Sequence, residues 1–195
     1  MMKRDVKKDL ITDAALSCFL ASGYSGTSVD SIVKASGVSK GGIYWHFKSK
    51  EEIFLYLVQK WINERQRDFE SRLKPEDTAS EKLNKFVDCT LEQAKSPVPS
   101  LIHEFAMVVR DESVLNQIKD LMNNYDDDNI LTAIINQGIE SGEFRPLDAR
   151  ASAEVFRTLF EGIMMRCHFQ HKDISLLRRI AKTAMNIYLE GLSNK

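Results

Sequence analysis

The stretch "SVDSIVKASGVSKGGIYWHFKSKEE", residues 28–52, decides how this chain is read. Residues 28–47 have the dimensions of a helix-turn-helix: a helix of about eight residues, a short glycine-containing turn, then a second helix. Thr27 and Asp30 have the spacing of a capping box that starts the first helix, and Gly37 closes it after Ser36. Ser39 is placed to cap the second, and Ser49 with Glu52 a longer one behind it. The second helix sets a problem. Gly41 and Gly42 stand side by side within it, and each interior glycine costs about 1 kcal/mol relative to alanine. Four ring-bearing residues follow at once: Tyr44, Trp45, His46 and Phe47.

Turning 100° per residue sorts these side chains. Ile43 and Phe47 share one face, suited to packing on Phe19, Val29 and Ile32. Gly41, Gly42 and Trp45 fall roughly opposite, with Tyr44 and His46 on the flanks. A helix that presses closely on another surface gains from glycine, which holds no side chain between them. A tyrosine hydroxyl and an imidazole on the flanks can donate to phosphates. Lys40 and Lys50 add charge at the two ends, and helix N-termini offer free backbone donors to anions. One helix of this size fits a DNA major groove.

Outward from this stretch nearly everything reads helical, with no alternation of strand length. Leu10, Ile11, Ala14, Ala15, Cys18 and Phe19 make an apolar stripe on a first helix over Asp5–Ser22, which Gly23 ends. The helix after Ser49 runs to about Leu73. Thr78 with Glu81 caps the next, to Lys95, before Pro97 and Pro99. Leu101–Arg110 and Ser113–Ser141 follow, the second broken near "NNYDDDN". Asp148 then opens a helix to about His168, and Asp173 opens the last, to Leu192. The expectation is an all-α chain of about nine helices with no sheet. A helix-turn-helix domain over residues 1–50 is too small to bury much core alone, and a long helix joins it to a helical body over 51–195.

Composition bounds the function classes. Apolar residues make up 43% of the 195, as in globular proteins. No run approaches the roughly 20 apolar residues of a membrane span, and "MMKRDVKKDL" has no apolar core like that of a signal peptide, so a cytoplasmic location is expected. Residues 1–60 carry nine Lys and Arg against six Asp and Glu, and the rest carries 18 against 22. A mildly basic front on an acidic body points to an anionic partner for the N-terminal part. Cys18, Cys89 and Cys167 are widely spaced, and His46, His103, His168 and His171 have no metal-ligand spacing. No G-x-S-x-G, HExxH, P-loop or GxGxxG pattern occurs, so neither catalytic residues, nor a metal, nor a cofactor are expected.

"GYSGTSVDSIVKASGVSKGGIYWHFKSKEEIF" closely resembles the DNA-binding signature of the TetR family of bacterial transcriptional regulators. The likeness covers Ile11 to Leu57: G-x-x-G-T-S-V, then G-V-S-K-G-x-I-Y-x-H-F, then S-K-E-E, all in order. "GIESGEFRPLDARASAEVFRTLFEGI" adds a weaker likeness further on. The resemblance implies an all-α homodimer whose paired helix-turn-helix units bind a palindromic operator on double-stranded DNA. A small-molecule effector, unidentified, would bind the C-terminal body and release it. Carried over residue by residue, the family's DNA contacts fall on Thr27, Ser28, Ser39, Lys40, Gly41, Gly42, Tyr44, Trp45, His46 and Lys50. Trp45 departs from the polar or smaller residue common at its place. Reading a base edge, stacking on sugar and packing within the protein all stay open for it.

The body offers two further sets of candidates. The last two helices carry more apolar surface than one internal face needs, which suggests a four-helix dimer interface. Its expected members are Val155, Phe156, Leu159, Gly162, Ile163, Leu177, Ile180, Ala184 and Tyr188, with Gly162 allowing close approach. An adaptable apolar pocket is expected among the middle helices. Candidates to line it are Trp61, Phe86, Cys89, His103, Phe105, Met107, Tyr125, Ile134, Phe160 and Met164, with His103-Glu104 or Asp126–Asp128 to orient a polar group. The function expected is a ligand-responsive, sequence-specific repressor.

Overall fold

The computed structural model describes residues 2–123, 127–170 and 173–193, with side chains described over 6–122, 129–165 and 173–193. The described residues form ten α-helices: α1 (Met2–Gly26), α2 (Val29–Ser36), α3 (Lys40–His46), α4 (Lys50–Arg72), α5 (Ala79–Glu92), α6 (Val98–Val108), α7 (Glu112–Asn123), α8 (Asp127–Glu140), α9 (Ala149–Gln170) and α10 (Ile174–Leu192). A 3₁₀ turn, Gln93–Lys95, extends α5. The expected nine become ten because the stretch read as one broken helix over 113–141 is two. The one β-type pairing described is an isolated bridge between Phe144 and Ser193.

The helix ends follow their local chemistry, with shifts at the starts of α2 and α6. Thr78 and Glu81 form a full capping box on α5. Ser39 caps α3 by accepting from the Gly42 N–H, and Asp173 caps α10 by accepting from the Ser175 N–H. The box on α2, however, is Ser28 with Ser31 rather than Thr27 with Asp30. Thr27 lies one residue too early: its hydroxyl donates back to the Gly23 carbonyl at 2.7 Å, and its side chain is buried. Pro97 and Pro99 stop the preceding helix and also open α6, which starts three residues before the expected Leu101. Proline suits a first turn, where its missing N–H would have no partner.

The helices pack as two compact units. Unit 1 comprises Met1–Glu64 and Pro97–Asn124, so the helix-turn-helix shares its core with α6 and α7. Phe54 stacks on Phe105 of α6 at 4.3 Å between ring centroids, and Tyr24 meets Phe105 edge-on at 4.7 Å. Phe19, Ile32, Ile43, Phe47 and Ile53 are buried with them. About 50 residues bury only a small core, and α6 adds Phe105 to that of the head.

Unit 2 comprises Arg65–Ser96 and Tyr125–Lys195. Its core joins Phe69, Leu83, Phe86, Leu131, Ile135, Phe144, Phe156, Phe160 and Met185. Glu143, in the turn after α8, accepts from the N–H groups of Ala79 and Ser80 at 2.9 and 3.0 Å, a second anionic cap on α5. The boundary expected at residue 50 does not coincide with the division by packing, in which α4 gives its first part to unit 1 and its end to unit 2.

Candidate nucleic-acid interface

The helix-turn-helix is built from its caps and its buried side. Gly37 ends α2 in the left-handed conformation, φ 67°, and its N–H donates to the Val33 carbonyl. Two residues later Ser39 starts α3. Ile32 on α2 and Ile43 and Phe47 at α3 are buried. Phe47 meets Tyr56 of α4 edge-on at 5.5 Å, and the Lys8 ammonium lies 5.3 and 5.0 Å from those two ring centroids. That side therefore anchors α3, as its spacing predicts.

The opposite side of α3 is open. Trp45 is 76% exposed and Tyr44 48%, large apolar areas to leave in water. A Cβ added at Gly41 would meet nothing within 4 Å. Gly42 differs from the reading that both glycines clear the outer face. A Cβ there would lie 2.9 Å from Val38 Cγ1 and 3.2 Å from Ser39 Oγ, so its hydrogen lets the turn close under its own cap. Ser28 and Ser39 are exposed at the starts of α2 and α3, and His46 is half-buried. Lys40 is exposed and paired with Asp30 of α2 at 2.9 Å.

Two of the expected contact residues turn inward. Thr27 is buried, as above. Lys50 is half-buried: its Nζ donates to the carbonyls of Tyr24 and Thr27 at 2.8 and 2.7 Å and lies 4.2 Å from the Tyr24 ring centroid. Burial lowers the ammonium below its ordinary range, opposed by the negative charges of Glu51 and Glu104. The Tyr24 hydroxyl donates to Glu51 at 2.9 Å, and burial first, then that carboxylate, pushes the phenol up. From α6, Glu104 Oε1 accepts from the Tyr24 N–H at 2.8 Å. The turn between α1 and α2 is thus held from α4 and from α6.

Sequence reasoning gave Asp30 only a capping role and Glu104 only a ligand-orienting one, and passed over Tyr24 and the exposed Lys48. Asp30 and Lys40 occupy the first turns of the motif's two helices, a placement that helix-turn-helix geometry could have flagged. Glu104 had no signal, because its partner is 80 residues away.

The other candidates divide between the units. Phe86, Cys89, Ile134 and Phe160 are buried in unit 2, and Met164 is half-buried there. Burial pushes the Cys89 thiol up to about 11, countered by Arg72. In unit 1, Phe105 belongs to the aromatic core, Trp61 is half-buried, and His103 and Met107 are exposed. Tyr125 and Asp126 lie outside the described residues, as do the side chains of Asp127, Asp128, Cys167 and His168. Unit 1 holds a cleft of about 540 Å³ beside Tyr24, Lys50 and Arg110, and another of about 370 Å³ beside Phe47, Tyr56 and Leu121. None of the described residues expected to line a pocket lines either.

On α9 and α10, Phe156 and Leu177 are buried in the core of unit 2. Leu159, Ile163, Ala184 and Tyr188 pack against that core, and Tyr188 donates to the Ser152 carbonyl at 2.8 Å. Val155 and Ile180 face outward with Ile187, and Gly162 lies in open space. No helix among the described residues is long and apolar enough to cross a membrane.

Among the described residues the chain is helical and carries a helix-turn-helix with an anchored inner side and an open aromatic outer side. Residues 11–57 match the family described as bacterial regulatory proteins, tetR family, and residues 58–194 match the C-terminal region of QacR-like proteins. The chain belongs to the TetR family of transcriptional regulators. It is 28% identical over 190 residues to the HTH-type transcriptional regulator QacR of Staphylococcus aureus, covering 95% of this chain and 98% of that one. It is also 28% identical over 204 residues to the fatty acid metabolism regulator protein of Bacillus subtilis, covering both chains in full. Among solved structures, FadR from Bacillus halodurans superposes with a TM-score of 0.76 at 23% identity over 97% of each chain. FadR from Bacillus subtilis in complex with stearoyl-CoA gives 0.75 at 24% identity, over 94% of this chain and 98% of that one.

Proposed function

We propose that this regulator is a ligand-responsive repressor that binds a palindromic operator as a homodimer and is released by a small-molecule effector. The observation that carries the reading is the outer side of α3, where Gly41 leaves the backbone bare and Tyr44 and Trp45 stand in water. Core chemistry explains Ile43 and Phe47 but not these. A surface that takes them in, such as a groove edge with its thymine methyls and sugars, does. Ser28 and Ser39 stand exposed at the starts of α2 and α3, where their hydroxyl hydrogens and the first-turn N–H groups that the caps leave over would donate to phosphates.

Dimerisation is supported by apolar residues left exposed on one side of α9 and α10. Val155, Gly162 and Met165 recur at near-helical spacing on α9, and Ile180 and Ile187 do so on α10. Two copies of this helix pair would bury them as a four-helix interface. A symmetric dimer presents two α3 helices to half-sites about 34 Å apart, so a small shift of either weakens both contacts at once. Because α4 contributes to both units, an effector that displaces it changes that spacing. A coupling of about 1–3 kcal/mol would change affinity about 5–150-fold. Long-chain acyl-CoA is the first effector class to try, since the Bacillus subtilis FadR structure holds stearoyl-CoA.

Selection from random duplex with the purified protein tests this reading. Enrichment of an inverted repeat, and its loss from the complex on adding an effector, is expected. Enrichment of no palindrome would defeat it.

A further inference from the structure

Asp30 stands in the first turn of α2 and Lys40 in the first turn of α3, and their side chains meet at 2.9 Å across the motif. Both are well exposed, 66% and 58% by side chain. Ion pairs so exposed contribute little to folding, and a carboxylate in the first turn of α2 gains from the helix dipole wherever it points, so neither effect requires Asp30 to reach across to Lys40. The location does bear on recognition. The second helix of a helix-turn-helix meets base edges with its N-terminal residues, and Lys40 is the first residue of α3. Lys40 holds the Asp30 carboxyl below the usual carboxylate range, so it is ionised at neutral pH.

A negative group there has two effects on docking to DNA. Duplex DNA carries a charge about every 1.7 Å, so the carboxylate opposes approach to any sequence. It also competes for Lys40, a cation that would otherwise grip phosphate without regard to sequence. In the major groove, though, the exocyclic amino groups of cytosine and adenine can donate to a carboxylate. Building on the DNA-binding reading above, we propose that Asp30 is a specificity-determining residue. It keeps Lys40 off phosphates in sequence-independent encounters and releases it only where the groove offers the carboxylate an amino donor in exchange.

The experiment compares wild type, D30N and D30N/K40M on the duplex that wild type enriches and on a scrambled duplex of equal composition. D30N is expected to bind the scrambled duplex several-fold more tightly, with a log–log salt slope steeper by about 0.9, one more phosphate contact. Its preference for the enriched duplex falls several-fold. Adding K40M returns the slope to the wild-type value, because the freed cation is Lys40. An unchanged slope in D30N overturns the proposal. So does a steeper slope that survives K40M, which would make the gain a matter of lost negative charge alone, and so does an unchanged preference. Wild type that enriches no duplex at all would instead defeat the DNA-binding reading, and the wild-type arm shows this by itself.

Discussion

Gly41 and Gly42 are neighbours kept for different reasons, and their alanine variants should separate. Gly41→Ala meets open space and should raise stability by up to about 1 kcal/mol through helix propensity, while weakening operator binding by lifting α3 from the groove. Gly42→Ala presses on Val38 and the Ser39 cap and should lower stability by about 1 kcal/mol or more. Thermal melts with duplex titration read both, and equal effects would refute the distinction. Lys48 and Lys50 separate in the same way. Lys48 is exposed, so K48M should flatten the salt slope by about 0.9 with little change in melting. K50M leaves two half-buried carbonyls without their ammonium and should lower the melting temperature. The inner side of α3 was legible in the sequence because Ile43 and Phe47 are four apart and helical period alone places them together. The inward turn of Lys50 was not, since its acceptors are carbonyls more than 20 residues back and the same lysine suits a phosphate equally well.

Among the elements, α6 shows most clearly what local pattern misses. Its ends were readable from Pro97 and Pro99, but its place beside the helix-turn-helix was not, because helical period states which face is buried and not against what. Phe105 and Glu104 lie side by side on α6 and meet the end of α1 in different ways. Phe105 enters the aromatic core, and Glu104 accepts from the Tyr24 N–H just past Gly23, where φ is 70°. Glutamate fits there only because position 23 has no Cβ; one would lie 2.7 Å from Oε1. E104A should cost about 1.5–3 kcal/mol, the value of a hydrogen bond to a charged group, seen as a drop of several degrees in melting temperature. An unchanged melt would show that this contact holds nothing. The α2 cap erred by one residue for a related reason: Thr27 and Ser28 are adjacent capping residues, and only the break at Gly23 settles which of them turns inward.

For the whole molecule, the all-helical class and the DNA-binding signature were both evident in the chain, since each rests on local period and motif. The partition of α9 and α10 was not. Of the residues expected on their outer face, Phe156 and Leu177 are buried within unit 2, whereas Val155 and Ile180 remain outside with Ile187. Apolarity alone does not say which side of a helix faces its own core. A charge at an outward position should therefore split a dimer without unfolding the subunit. I187E is expected to sediment as a 22.3 kDa species at micromolar concentration and keep its helical circular dichroism, while wild type sediments at twice that mass. A monomeric wild type would remove the basis for paired half-sites.

One titration tests sequence-specific recognition through α3. Affinity is measured for the selected duplex and for its scramble between 50 and 200 mM salt. The selected duplex should bind at least about 10³-fold more tightly than the scramble, with affinity for both falling as salt rises. Equal affinities for the two sequences, or binding indifferent to salt, would contradict it.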